Sequence, residues 1–187
     1  MKLLIILLLL TDVYAEKKSI FLDTKFTIPL SGTAKFIENT KSETAKSPLA
    51  FLGVSLGYSI ELIEDYTLEP SLGFSFNTEG VIDGKGRNFN YNYYDFTLPI
   101  MYHKKGFKGG IFMRYMKIPS FEVSDFYNER TELLKNRDAY SIGLKAVTSS
   151  WFVSYEYLFN GKYSSVDKTT TIDIEGSCIS IGIRNSF

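Results

Sequence analysis

The chain has 187 residues, room for one domain, and its 21 basic side chains equal its 21 acidic ones, leaving no net field to attract nucleic acid. Aromatic residues make up 16% of it while its mean hydropathy lies slightly below zero, so apolar groups are interleaved with polar ones rather than blocked together. Cys178, the single cysteine, excludes an internal disulfide framework and reads as a small strand residue with an inert thiol.

Residues 1–15 read as an export signal. Lys2 gives the positive start, Leu3 to Leu10 the apolar stretch, and Val13-Tyr14-Ala15 the small-residue cleavage site, so residues 16–187 are expected as one mature domain. That apolar stretch is too short to cross a bilayer, and no later segment approaches the ~18 apolar residues a membrane helix needs. A membrane-embedded form has to be a barrel.

Period-two alternation follows in chain order. The first strand sets Ile20, Leu22, Phe26, Ile28 and Leu30 against Asp23, Lys25 and Thr27. The second sets Leu52, Val54, Leu56, Tyr58 and Ile60 against Gly53, Ser55, Gly57 and Ser59. The third sets Tyr66, Leu68, Leu72, Phe74 and Phe76 against Thr67, Glu69, Ser71, Gly73 and Ser75. In the fourth, Tyr94, Phe96, Leu98, Ile100 and Tyr102 oppose Asp95, Thr97, Pro99 and Met101, with Pro99 unable to donate one ladder bond. The fifth, Phe107 to Ile118, alternates least cleanly, with Ile111, Met113 and Tyr115 opposing Gly110, Phe112, Arg114 and Met116. The sixth has Tyr140, Ile142, Leu144 and Ala146 against Ser141, Gly143 and Lys145. The seventh has Trp151, Val153, Tyr155, Tyr157 and Phe159 against Ser154 and Glu156, and the eighth has Ile179, Ile181 and Ile183 against Ser180, Gly182 and Arg184.

The connections alternate in length. Ser31 to Pro48, Asn77 to Asn90, Pro119 to Asp138 and Asn160 to Thr171 are long and polar; Glu61 to Asp65, His103 to Gly106 and Thr148 to Ser150 are short. The fold class is therefore an all-β, antiparallel, up-and-down barrel of eight transmembrane strands, with long extracellular loops at one end and short periplasmic turns at the other.

Alternation alone does not distinguish a lipid-facing apolar set from the core of a soluble lipocalin-like barrel. The second face does, because it is dominated by Gly and Ser, which suit a crowded lumen better than a wet exterior. Its charges are Asp23, Glu69, Asp95 and Glu156 against Lys25, Arg114, Lys145 and Arg184, a balanced set expected to form a lumen network, since unpaired buried ions cost several kcal/mol each. Tyr58, Tyr66, Tyr102, Phe107, Trp151 and Phe187 fall at the short-turn ends, and Phe76, Tyr94, Tyr115, Tyr140 and Phe159 toward the long-loop ends. Two aromatic girdles are expected.

The last residues, Ser180-Ile181-Gly182-Ile183-Arg184-Asn185-Ser186-Phe187, resemble the C-terminal strand of bacterial outer-membrane proteins, with Ser180, Gly182 and Phe187 carrying the signature and Asn185 departing from it. The Tyr-Asp-Phe-Thr-Leu-Pro-Ile run and its return strand, within Tyr93 to Tyr115, resemble the middle hairpin of the small OmpX and OmpA-type barrels. The resemblance implies an integral protein of the bacterial outer membrane, in contact with outer-membrane lipid and lipopolysaccharide, with its last strand read by the barrel-assembly machinery.

No catalytic residue, cofactor site or metal site is expected. His103, the one histidine, lies in a short turn at the wrong end for a lipid A-modifying enzyme and has no His-x-Ser partner; Gly84-Lys85-Gly86-Arg87 reads as a loop tip. The loops are candidate ligand-binding surfaces, notably the mixed-charge Lys35 to Lys46 and the aromatic-acidic Phe121 to Tyr127. The expected role is structural or surface-interacting, around a filled polar lumen. Its rivals are a narrow porin-like conduit for small solutes and a lipid A-modifying barrel enzyme.

Overall fold

The computed structural model describes residues 18–31, 33–38, 41–46, 50–77, 80–81, 87–118, 121–125, 130–134, 138–148, 150–164 and 170–187. The expected signal segment, 1–15, lies outside the described residues.

All regular structure among the described residues is β. In chain order, β1 (Lys18–Pro29) leads through β2 (Thr33–Glu38) and β3 (Lys41–Lys46) to β4 (Phe51–Ile63), and β5 (Tyr66–Leu68) and β6 (Ser71–Asn77) lead past β7 (Gly80–Val81) to β8 (Arg87–Lys104). Then β9 (Phe107–Lys117) leads through β10 (Phe121–Asp125) and β11 (Arg130–Leu134) to β12 (Asp138–Thr148), and β13 (Trp151–Phe159) leads through β14 (Lys162–Ser164) and β15 (Thr170–Asp173) to β16 (Gly176–Ser186). The barrel is the ring β1, β4, β5 with β6, β8, β9, β12, β13 and β16, eight staves each antiparallel to its neighbours. Pairing of β16 with β1, in which Arg184 faces Asp23, closes it.

The third stave is interrupted at Glu69 and Pro70, where the sequence pattern suggests one continuous strand. Proline has no amide proton for the ladder. Register passes through the break unchanged, with Ile60 opposite Leu68 on one side and Gly57 opposite Ser71 on the other. The Pro70 and Pro99 carbonyls still accept, from Tyr58 N–H and Glu69 N–H, both at 3.0 Å.

Four long segments that read as plain loops carry strands instead. β10 continues along β8, Phe121 opposite Tyr91, and β11 pairs with β10; β14, β15, β2 and β3 form a separate four-stranded sheet. Backbone N–H and C=O groups leaving a barrel rim need partners whatever their side chains are, and extending the ladder supplies them. The short turns are tight. Lys105 and Gly106, at φ 50° and 81°, form a primed two-residue hairpin turn between β8 and β9, so His103 and Lys104 end a strand rather than sit in the turn.

The apolar set points outward. Leu72, Met113 and Leu144 are 68%, 65% and 60% exposed, and the same parity holds through Leu56, Ile111, Ile142, Trp151 and Ile181. Ile60 and Leu68, cross-strand partners, lie on that parity yet are buried. The doubtful fifth stave follows the rule, with Phe112, Arg114 and Met116 inside and Ile111 and Met113 outside. A surface this apolar and continuous around a ring matches hydrocarbon, not water.

Both girdles are present on the exterior. At the long-loop end Tyr140 lies between Tyr115 and Phe159, with ring centroids 5.6 and 6.4 Å away, and Phe74 between Phe76 and Tyr94 at 6.3 and 5.2 Å. At the short-turn end Tyr66 and Tyr102 pair at 5.2 Å, with Phe107 and Trp151 exposed beyond them.

Inward glycines act as sockets. Phe21 lies directly opposite Gly57, Phe112 opposite Gly143 and Phe152 opposite Gly182, and a Cβ at any of these glycines would overlap the facing ring. These three rings fit the narrow lumen because a facing position on the neighbouring stave has no side chain. Gly57→Val is expected to destabilise the folded barrel by about 1–3 kcal/mol through overpacking, read as a lower urea midpoint for refolding in micelles, while Leu56→Val on the lipid face leaves the midpoint nearly unchanged.

Candidate functional site

The inward face is where charge collects. All eight ionic residues of the second face, Asp23, Lys25, Glu69, Asp95, Arg114, Lys145, Glu156 and Arg184, lie in the lumen, and all but the half-buried Lys145 are fully buried. They sort into two nests stacked along the barrel.

The nest nearer the short turns centres on Arg184. Its Nε and Nη2 donate to Asp23 Oδ1 and Oδ2 at 2.7 and 2.9 Å, and its Nη1 donates to Glu69 Oε2 at 2.6 Å. Lys145 Nζ donates to Asp23 Oδ2 at 2.7 Å, and Lys108 Nζ to Glu69 Oε1 at 2.8 Å. The Ser59 and Thr67 hydroxyls stand 3.4 Å from Glu69 Oε1. The nest nearer the long loops centres on Arg114. Its Nη1 donates to Glu156 Oε1 at 2.6 Å, its Nε to Thr97 Oγ1 at 3.2 Å, and Asp95 Oδ1 stands 4.0 Å from that Nε. Asp95 accepts from Lys25 Nζ at 2.9 Å and from the Thr97 hydroxyl at 3.1 Å, and Ser141 donates to Glu156.

These links span the lumen rather than following the ladder. Lys25 on β1 reaches Asp95 on β8, Lys145 on β12 reaches Asp23 on β1, and Arg184 on β16 reaches Glu69 between β5 and β6. Within water-poor walls such ions are held by hydrogen bonds on nearly every carboxylate oxygen, the condition under which buried pairs are tolerated.

Apolar side chains of the same parity fill what the ions leave. The Arg184 guanidinium lies 3.8 Å from the Phe21 ring centroid, Lys145 Nζ 4.3 Å from Phe152 and the Arg114 guanidinium 5.3 Å from Phe112. Cation–π contact adds to the ion pairs. Met101, Val147 and Phe152 pack together as an apolar layer toward the short turns. A mid-lumen cavity between Arg114, Lys145 and Phe152 has a volume of about 20 Å³, near the space of a single water.

The sequence pattern placed Phe112 on the inward face but did not single out Lys108, Phe21 or Phe152. Lys108 shares the parity of Gly110, Phe112 and Arg114 on the stave whose alternation is least regular, and Phe21 shares that of Asp23 and Lys25; parity rather than polarity was the signal that could have found them. Of the C-terminal residues, Ser180 is buried and its hydroxyl lies 2.8 Å from that of Thr27, Gly182 is the socket for Phe152, and Phe187 is 78% exposed with its N–H donating to Ile20. The side chains of Lys35 to Lys46 lie outside the described residues, as do those of the aromatic-acidic segment of Phe121 to Tyr127. Among the described residues no group of three His, Cys, Asp or Glu could hold a metal ion.

No family model matches the sequence, and no curated protein matches it. Solved structures do. Neisserial surface protein A superposes with a TM-score of 0.52 at 15% identity, over 92% of this chain and 100% of its own. Ail of Yersinia pestis gives 0.44 at 14% identity over 91% of this chain and 99% of its own, and the N-terminal barrel domain of Pseudomonas aeruginosa OprF gives 0.45 at 10% over 89% and 97%. The likeness to the Neisserial protein shows the fold: this is the architecture of the small outer-membrane β-barrels, as the OmpX and OmpA-type resemblance implies.

Removing one partner of a lumen pair strands the other in the low-dielectric interior. Glu156→Leu is expected to cost about 3–5 kcal/mol, and the double variant Arg114→Met with Glu156→Leu to recover much of that loss. Urea titrations of the two singles and the double, read by the mobility of folded against heated protein, check the sign of the coupling.

Proposed function

We propose that this chain is an integral barrel of the bacterial outer membrane with an occluded lumen, and that its role is structural or surface-interacting, exercised at the long-loop end. The observation that carries this reading is the packing of the interior: among the described residues two ion-pair nests, inward rings and an apolar layer occupy the space between the eight staves. A barrel of this size has an interior just wide enough for side chains. Here they fill it.

In that setting the long connections face outward and the chain ends with the short turns, in contact with lipid and lipopolysaccharide on the exterior and with the barrel-assembly machinery through Ser180, Gly182 and Phe187 during insertion. The loop strands, raised on a rigid stave ring, form the surface an extracellular ligand would meet. A non-enzymatic role fits the placement of His103 at the end of β8 beside the short turn, away from the long-loop rim where a lipid A-modifying site would operate.

Reconstituted in planar bilayers, the wild-type protein is expected to add no channel steps, and steady single-channel conductance would instead favour the narrow-conduit reading. Lipid A mass profiles of cells with and without the gene are expected to match; a missing or extra acyl chain would overturn the non-enzymatic role.

A further inference from the structure

The two nests differ in their charge balance. In the long-loop nest Lys25 and Arg114 meet Asp95 and Glu156, cation for carboxylate; in the short-turn nest Lys108, Lys145 and Arg184 share only Asp23 and Glu69. One positive charge is in surplus, and it lies toward an opening. The short-turn mouth of the barrel holds a cavity of about 190 Å³ lined by His103, Gly106, Phe107, Lys108, Val147, Arg184 and Ser186. Two of those residues are the cations of the unbalanced nest, and no carboxylate stands among the described lining residues.

The donors there are not spent. Lys108 Nζ makes one hydrogen bond, to Glu69, and its side chain keeps 31% exposure, whereas Glu69 is sealed beneath it. Arg184 uses Nε, Nη1 and Nη2 once each, leaving two of its five N–H groups. His103 Nε2 is buried in the mouth wall without a hydrogen-bond partner. Lys104 and Lys105 are exposed on the rim just outside. The acids of the adjoining turn, Glu61, Glu64 and Asp65, are exposed or half-buried and lie outside the cavity lining.

We infer that the short-turn mouth is an anion site that takes a phosphate group, with Lys108 as its principal donor and Arg184 as its fixed base. A phosphate placed there compensates the surplus charge and accepts the unused N–H groups, the combination that favours charge-assisted hydrogen bonding in a partly dehydrated recess. Two sources carry that chemistry at this end of a membrane barrel: free phosphate from the aqueous compartment, and the headgroup phosphate of a phospholipid at the rim.

The test uses the full mature barrel refolded into micelles of a maltoside detergent, which carries no phosphate, with backbone amide resonances followed while inorganic phosphate is added. Saturable shifts are expected at Gly106, Phe107, Lys108 and Ser186, and Lys108→Gln, checked for folding by its heat-modified mobility, is expected to weaken the binding by roughly tenfold, the scale of one charge-assisted hydrogen bond. Lys105→Gln, on the turn but outside the cavity, is expected to leave it within about twofold. Repeating the titration in nanodiscs containing phosphatidylglycerol assigns the source: loss of the free-phosphate response, with the same resonances already shifted, marks the headgroup, and an unchanged response marks the free anion. Absence of saturable shifts in the phosphate-free micelles overturns the proposal, as does equal binding by wild type and Lys108→Gln. Should Lys108→Gln not fold, competition in the wild type decides, since sulfate is expected to displace phosphate and equal tolerance of sulfate and uncharged glycerol would refute the site.

Discussion

Hydrocarbon on the outside of a ring of strands leaves one place for polar side chains, and a ring of eight makes that place narrow. Every charge sent inward must find its counter-ion there, at hydrogen-bonding distance and at the same height. The arrangement around Arg184 meets this demand for three staves at once, since one guanidinium ties β16 to Asp23 on β1 and to Glu69 between β5 and β6. Much else follows from it: which residues are glycine and where the rings go.

Ion pairs of this kind are poor sources of net stability, because desolvation offsets most of their attraction. Their stronger effect is on which arrangement forms. A slip of one residue in any stave would turn its charges into lipid and its leucines into the lumen. The cross-lumen links Lys25 to Asp95 and Lys145 to Asp23 connect staves that are not neighbours, so they fix the closed ring as a whole rather than one hairpin at a time. The outward face contributes differently, through apolar area and aromatic girdles that set the depth of the barrel in the bilayer.

Much of this was legible in the sequence because the side-chain period of a strand is two and each face has its own solvent. Asp23, Lys25, Glu69, Asp95, Arg114, Lys145, Glu156 and Arg184 share the parity of Gly and Ser, and that alone places them together. Pairing was not legible. Which carboxylate meets Arg184 depends on the stagger of the ring, which no local pattern encodes. The lumen rings Phe21 and Phe152 were hidden for another reason, that an apolar residue on a polar face is explained only once its glycine socket on the next stave is known. The strands of the long connections were missed because they are short, six residues or fewer, and lie in segments rich in polar and charged residues.

What the molecule does follows from what its interior does not do. Under the proposed reading, an interior occupied by its own side chains leaves binding to the ends, where loop strands stand at one rim and a cationic mouth opens at the other. The central claim is the assignment of faces, and spin-label accessibility tests it most directly. With Cys178 replaced by alanine and single cysteines introduced at Leu72, Ile142 and Ile181, labels are expected to collide with oxygen dissolved in lipid and not with an aqueous nickel chelate, while labels at Ser75 and Ser154 meet neither. Nickel collisions at Leu72, Ile142 and Ile181, or lipid contact at Ser154, would contradict the account.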